Sequence, residues 1–130
     1  MGAHSMSEMQ STTTVGHWMQ DNCDVYVGRG DLQVSFQDYV EGKLAIGDRG
    51  WLGNPFLTYK AGGEYSHEES VARFAVAFQA RLRCDGELRG RVAALQGEAL
   101  GCWCQRLDEE DGDACHGEVI AHWADRLGDA

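Results

Sequence analysis

The stretch Ser66–Cys104, SHEESVARFAVAFQARLRCDGELRGRVAALQGEALGCWC, sets the architecture because its apolar period changes along its length. Val71, Phe74, Ala75, Phe78 and Leu82 recur at helical spacing, and Glu68 and Glu69 fall in the first turn, where the helix dipole favours carboxylates. A second helix is predicted over Glu87–Leu95, stopped by Gly97, and Ala99-Leu100-Gly101-Cys102-Trp103-Cys104 then reads as a short apolar strand. A last helix is predicted from Cys115 to Leu127, with Val119, Ile120, Trp123 and Leu127 on its inner face. Between strand and helix lies an acidic loop, Asp108-Glu109-Glu110-Asp111-Gly112-Asp113.

Upstream, Cys23-Asp24-Val25-Tyr26-Val27-Gly28-Arg29-Gly30 reads as a buried strand opening into a glycine turn. Leu32, Val34 and Phe36 alternate with polar residues, and Lys43-Leu44-Ala45-Ile46 alternates again, which predicts a β-hairpin over residues 31–48. Gly50-Trp51-Leu52-Gly53-Asn54-Pro55-Phe56 holds the single proline and reads as a shaped loop. Residues 6–22 are polar and are expected to form a weakly packed arm, and Met1-Gly-Ala-His-Ser reads as an expression remnant. The expectation is a remnant and arm over residues 1–22 and a single α/β domain over 23–130. That domain is expected to be small and Rossmann-like, with a short, largely parallel sheet flanked by helices and an inserted hairpin.

Composition narrows the function classes. The 130 residues, at 14.3 kDa, suffice for one core, and no apolar run is long enough to span a membrane. A net charge of -10 argues against general coating of nucleic acid. Lys43 and Lys60 are the only lysines among eleven basic residues, a balance that fits either a halophilic source or a GC-rich genome. Five cysteines, an odd number, argue against a disulfide framework, and with no secretory segment the expected location is the cytoplasm.

Two constellations can carry chemistry. Cys115 and His116 open a helix, where the dipole and free N–H groups favour a thiolate, and Cys102 and Cys104 share one face of a strand that ends nearby. Three readings stand side by side: buried inert cysteines, a functional thiol with His116, and a zinc site from Cys102, Cys104, Cys115 and His116. Against zinc, Cys-x-Cys and an adjacent Cys-His pair differ from the usual knuckle spacing. In the second constellation, the Gly28-Arg29-Gly30 turn can approach an anion, Arg29 or Arg49 can clamp it, Trp51 or Phe56 can meet a ring, and Asn54 a polar edge. His17, His67 and His122 stand alone and carry no assigned role.

Taken in order, Val25-Tyr26-Val27-Gly28-Arg29, Trp51-Leu52-Gly53-Asn54-Pro55-Phe56, Leu100-Gly101-Cys102-Trp103-Cys104 and Cys115-His116-Gly117-Glu118 resemble the domain of unknown function 4326 family. The resemblance runs over residues 23–127 and implies a strand ending in Gly-Arg, a Trp-Gly-Asn-Pro-Phe loop, an amphipathic helix and a Cys-Trp-Cys strand followed by Cys-His, often in phages and their hosts. This chain departs from that pattern in the segment 31–48, in Leu52 and in the acidic loop. The combined expectation is one pocket for a small anionic, nucleotide-like ligand, formed where the Gly-Arg-Gly turn, the Trp51–Phe56 loop and the Cys115-His116 helix start converge. Should the ligand be processed, Cys115 would serve as nucleophile, His116 as acid or base, and Glu118 as their assistant. The alternatives are a non-enzymatic viral or host-interaction protein that sequesters a nucleotide signal or protein partner, and a zinc-stabilised module.

Overall fold

The computed structural model of the chain describes residues 12–18, 22–102 and 115–129. Three strands, β1 (Thr14–His17), β2 (Val25–Tyr26) and β3 (Ala99–Cys102), pair in parallel in the order β1-β3-β2. Leu100 lies opposite both Val15 and Val25, and Gly101 opposite Gly16 and Tyr26, so β3 is flanked on both edges. A central parallel strand is covered on both faces, which is why β3 is apolar throughout rather than alternating. Gly101 is required there by space, since a Cβ would stand 2.7 Å from the Trp18 ring and 2.8 Å from the Cys23 sulfur.

Four α-helices occur among the described residues: α1 (Phe36–Val40), α2 (His67–Cys84), α3 (Gly86–Ala93) and α4 (His116–Gly128). Ser66 caps α2 through its hydroxyl, which accepts the Glu69 N–H at 3.1 Å, and the predicted stripe buries Phe74, Phe78 and Leu82. Phe74 and Phe78 stack with centroids 5.3 Å apart, and Phe36 from α1 closes edge-on against both. Leu88 and Val92 of α3, Leu100 of β3 and Ile120 and Ala124 of α4 complete this core. None of these helices is long and apolar enough to cross a membrane.

Two expectations are corrected. Residues 31–48 form no hairpin: Asp31–Gln33 is a single 3-10 turn, Leu32 and Gln33 have φ of 58° and 65°, and α1 follows. The alternation of Leu32, Val34 and Phe36 misleads because Ser35 and Asp38 make a capping box, the Ser35 N–H donating to Asp38 Oδ2 at 2.8 Å. Local side-chain hydrogen bonds thus outcompete strand pairing, leaving Leu32 97% exposed while Phe36 enters the core. The polar arm is also corrected at Thr14–His17, which is the edge strand β1. Composition misses it because polar backbone ties hold it: the Thr14 N–H donates to Glu98 O at 3.1 Å, and the Trp18 N–H to Cys102 O at 3.1 Å.

Just ahead of β1, Thr13 donates its amide to Asp125 Oδ1 at 3.0 Å and its hydroxyl to the same oxygen at 2.7 Å, tying the edge strand to α4. Hydrogen bonds to a charged partner contribute about 1.5–3 kcal/mol. Asp125→Ala is therefore expected to lower unfolding free energy by about that amount. Hydrogen exchange of β1 amides should accelerate more than that of α2 amides, which checks that the loss is local.

Asp85 links α2 to α3, accepting the Leu88 N–H at 3.0 Å, the Tyr39 hydroxyl at 2.5 Å and the Arg81 Nε–H at 3.0 Å. Burial pushes its carboxyl up, but the hydrogen bonds from Tyr39, the Leu88 amide and Arg81 outweigh that and hold it below its ordinary value. Burial first, then the hydrogen bond and charge of Asp85, push Tyr39 up to about 12 from 10.0. The lowered Asp85 contributes stability above the ordinary carboxylate range that is lost as pH falls through its folded value. The raised Tyr39 contributes stability complete below pH 10 and lost as pH rises toward 12. The stability gap between wild type and Tyr39→Phe, measured by urea denaturation, is thus expected to be flat near neutrality and to close over that alkaline interval.

Candidate functional site

Cys102 ends β3, and Cys115 is the N-cap residue of α4, its sulfur accepting the Gly117 N–H at 3.4 Å. This brings Cys102 Sγ to 2.6 Å from Cys115 Sγ. His116, in the first turn of α4, sets its Nε2 at 2.7 Å from the carbonyl of Val27, the residue after β2. A carbonyl only accepts, so Nε2 carries a proton, and in the neutral ring it is Nδ1, 3.9 Å from Cys115 Sγ, that presents a lone pair. Phe74 stands perpendicular to the imidazole with ring centres 5.2 Å apart. Both sulfurs are fully buried and His116 is 5% exposed. Glu118 is exposed in the first turn of α4, while Cys104 and the acidic loop lie outside the described residues.

The three predicted segments do come together, as packed structure. Arg29 Nη1 donates to the Asn54 carbonyl at 2.8 Å, and a Cβ on Gly53 would lie 2.6 Å from Arg29 Cα, so only glycine lets the loop approach the turn. Asn54 donates from Nδ2 to Ser70 Oγ at 2.8 Å and accepts the Phe56 N–H on Oδ1 at 2.9 Å. Ser70 and Phe74 occupy successive turns of α2, so Asn54 and His116 pack against the same helix. The Gly30 N–H is spent on Val34 O at 2.9 Å, Asn54 is buried, and Phe56 is half-buried against Tyr65. These side chains position the loop rather than presenting open hydrogen-bonding groups.

An open space lies elsewhere, along the outer side of β2: a cleft of about 370 Å³ whose lining includes Tyr26, Arg49, Trp51 and Arg91. The Arg49 guanidinium stacks 4.1 Å over the Tyr26 ring, and that of Arg91 stands 5.7 Å over Trp51, itself 5% exposed. Asp24 and Asp48 also border it, but each gives a carboxylate oxygen to a backbone amide at 3.0 Å, of Ala99 and Ala45 respectively. Among the described residues neither guanidinium has a carboxylate within ion-pair distance. Arg49 and Trp51 are among the ligand-binding residues the sequence suggests, and Arg91, which the sequence does not single out, lines the same cleft. In the sequence nothing separates it from Arg89, which the structure spends on the Leu82 carbonyl at 2.7 Å. Cys102, Cys115 and His116 do not line this cleft.

The sequence profile of a domain of unknown function (DUF4326) matches residues 10–126, a span that takes in β1 as well as the four motifs. No curated protein and no solved structure matches the chain.

Burial orders the accessibility of the described cysteines. Brief iodoacetamide treatment of the native protein, read by peptide mass mapping, is expected to modify exposed Cys84 first and half-buried Cys23 next. Cys102 and Cys115 should be alkylated at least tenfold more slowly than Cys84, a roughly 1.4 kcal/mol difference in barrier or more. Labelling of Cys115 as fast as Cys84 would restore it as an open nucleophile.

Proposed function

The chain belongs to the DUF4326 family, and we propose that it is a binding module for a small anionic, ring-bearing molecule of the nucleotide class, held in the cleft beside β2. The observation that carries this reading is the pair of guanidiniums of Arg49 and Arg91, placed 4.1 Å and 5.7 Å over the Tyr26 and Trp51 rings and free of carboxylate partners among the described residues. A ring face attracts a guanidinium without using its N–H groups, which leaves them for bidentate capture of a phosphate. Val25 and Leu95 supply apolar wall for a ring. The net charge of -10 opposes this only weakly, because exposed charges beyond about 8 Å are screened at physiological ionic strength.

Cys115, His116 and Glu118 do not border the cleft, which favours binding over processing by those residues. A phage-encoded or host cytoplasmic module of this kind would act by sequestering a nucleotide signal. The Rossmann-like reading of the fold has support from the parallel strands and the helices between β2 and β3, although the cleft flanks β2 rather than the carboxyl ends of the strands.

The test is a thermal-shift and calorimetry panel of nucleosides, nucleoside mono- and diphosphates and inorganic phosphate, followed by chromatography of the incubated ligand. Phosphorylated ring compounds are expected to raise Tm, to be recovered unchanged, and to bind at least tenfold more weakly to Arg49→Ala and to Arg91→Ala, since a charge-assisted hydrogen bond contributes about 1.5–3 kcal/mol. Exposed Arg83→Ala should bind as wild type does. No shift with any compound, or equal binding by all three variants, would overturn the reading.

A further inference from the structure

We propose that Cys102, Cys115 and His116 form a buried structural metal site, and that their donor set suits zinc. Their ligand atoms, two sulfurs and one imidazole nitrogen, lie within 4.8 Å of one another, and all three residues are buried. Thiolate and imidazole are the donors that zinc prefers, whereas calcium and magnesium take oxygen.

Two features go beyond proximity. The first is the tautomer of His116: its Nε2–H is held by the Val27 carbonyl, so Nδ1 has its lone pair on the side of the sulfurs. A second-ring hydrogen bond to a backbone carbonyl is the usual means of orienting a metal-bound histidine. The second is the Gly117 N–H on Cys115 Sγ, an outer-shell donor that supports negative charge on a ligand sulfur. The sulfur separation of 2.6 Å is shorter than the roughly 3.7 Å set by a tetrahedral cation about 2.3 Å from each sulfur, so metal binding would move the two apart by about one ångström.

Charge balance permits the burial. Each cysteine gives up its thiol proton, two protons leave for solvent, and two thiolates with a neutral imidazole around a divalent cation have no net charge. No electron is transferred. A neutral cluster avoids the desolvation cost that a lone buried thiolate would carry. Catalytic zinc keeps an open position for water or substrate, while structural zinc is enclosed. Exposure of 5% or less at all three residues keeps substrate from the ion, and the three supply all but one of the four ligands that structural zinc takes. Its consequence is mechanical: the ion would join the end of β3 to the start of α4, with His116 extending the tie to the chain leaving β2.

The experiment is elemental analysis of untagged protein purified without chelator, paired with thiol counting in denaturant and with cobalt reconstitution. The expected result is about one zinc per chain, and a cobalt form with thiolate-to-metal charge-transfer absorption and the visible bands of tetrahedral cobalt. Zinc should be lost from Cys115→Ser and His116→Ala but retained by Cys84→Ser, whose cysteine is exposed. Cobalt spectra are taken on the wild-type chain and do not depend on either variant folding. Metal-free protein in which all five thiols titrate would overturn the proposal in favour of inert cysteines. Metal-free protein with two thiols missing would overturn it in favour of a Cys102–Cys115 disulfide. Zinc retained by both site variants, or cobalt without the charge-transfer band, would also overturn it.

Discussion

The hydrogen bond from His116 Nε2 to the Val27 carbonyl, 2.7 Å long and buried, is the contact on which the neighbouring geometry depends. Val27 is itself tied to the central strand, its N–H donating to Gly101 O at 2.9 Å. The start of α4 is therefore referenced to β3 through β2, and Cys115 is carried to the end of β3 where Cys102 lies. The same bond selects the imidazole tautomer and orients the ring edge against Phe74, which belongs to the aromatic core. One carbonyl thus couples sheet register, helix placement and the chemical state of the histidine.

A second constraint is the allocation of arginines in a strongly acidic chain. Arg73 pairs with Glu69 at 3.1 Å and Arg81 with Asp85 at 3.0 Å, both one helical turn apart. Arg29 holds the Asn54 carbonyl, and Arg89 covers the last carbonyls of α2. These side chains do structural work at carboxylates and helix ends. Arg49 and Arg91 differ because their described partners are aromatic rings, which attract a cation without neutralising it. The cleft thus keeps two guanidiniums whose charge is unpaired among the described residues beside the carboxylates of Asp24 and Asp48, each of which accepts a backbone amide.

Legibility in the sequence followed the range of the interactions involved. The helix α4 is legible within one residue at each end, and α2 through its stripe from Val71 to Leu82, two residues short of its end at Cys84, because a repeated apolar stripe is a short-range signal. The Trp51–Phe56 loop was legible through its glycines and Pro55. The segment 31–48 misled, because two-residue alternation over Leu32–Phe36 looks the same whether a partner strand exists or a Ser35–Asp38 capping box turns the chain into a helix. β1 is not legible in the sequence because its ties are to backbone atoms and to Asp125, which lies 112 positions from Thr13. At the candidate sites, the sequence points to a pocket between turn, loop and helix start, while in the structure Arg29 and Asn54 hold these segments against one another.

By itself the sequence determined the α/β class, the buried Phe74, Phe78 and Leu82 of α2, and the supply of soft donor atoms at Cys102, Cys115 and His116, whereas on α4 it is Ile120, Ala121 and Ala124 that are buried, with Val119, Trp123 and Leu127 only half-buried. The features the sequence determined follow from periodicities of a few residues and from side-chain chemistry, neither of which needs a partner elsewhere. Tertiary structure alone decided that His116 would face the carbonyl of a residue 89 positions away, that two sulfurs 13 positions apart would meet, and that Arg91 rather than Arg29 would border an open cleft. The physical reason is that burial and hydrogen-bond satisfaction are settled only when distant segments pack, because each polar group then takes whichever partner the closed core leaves within reach.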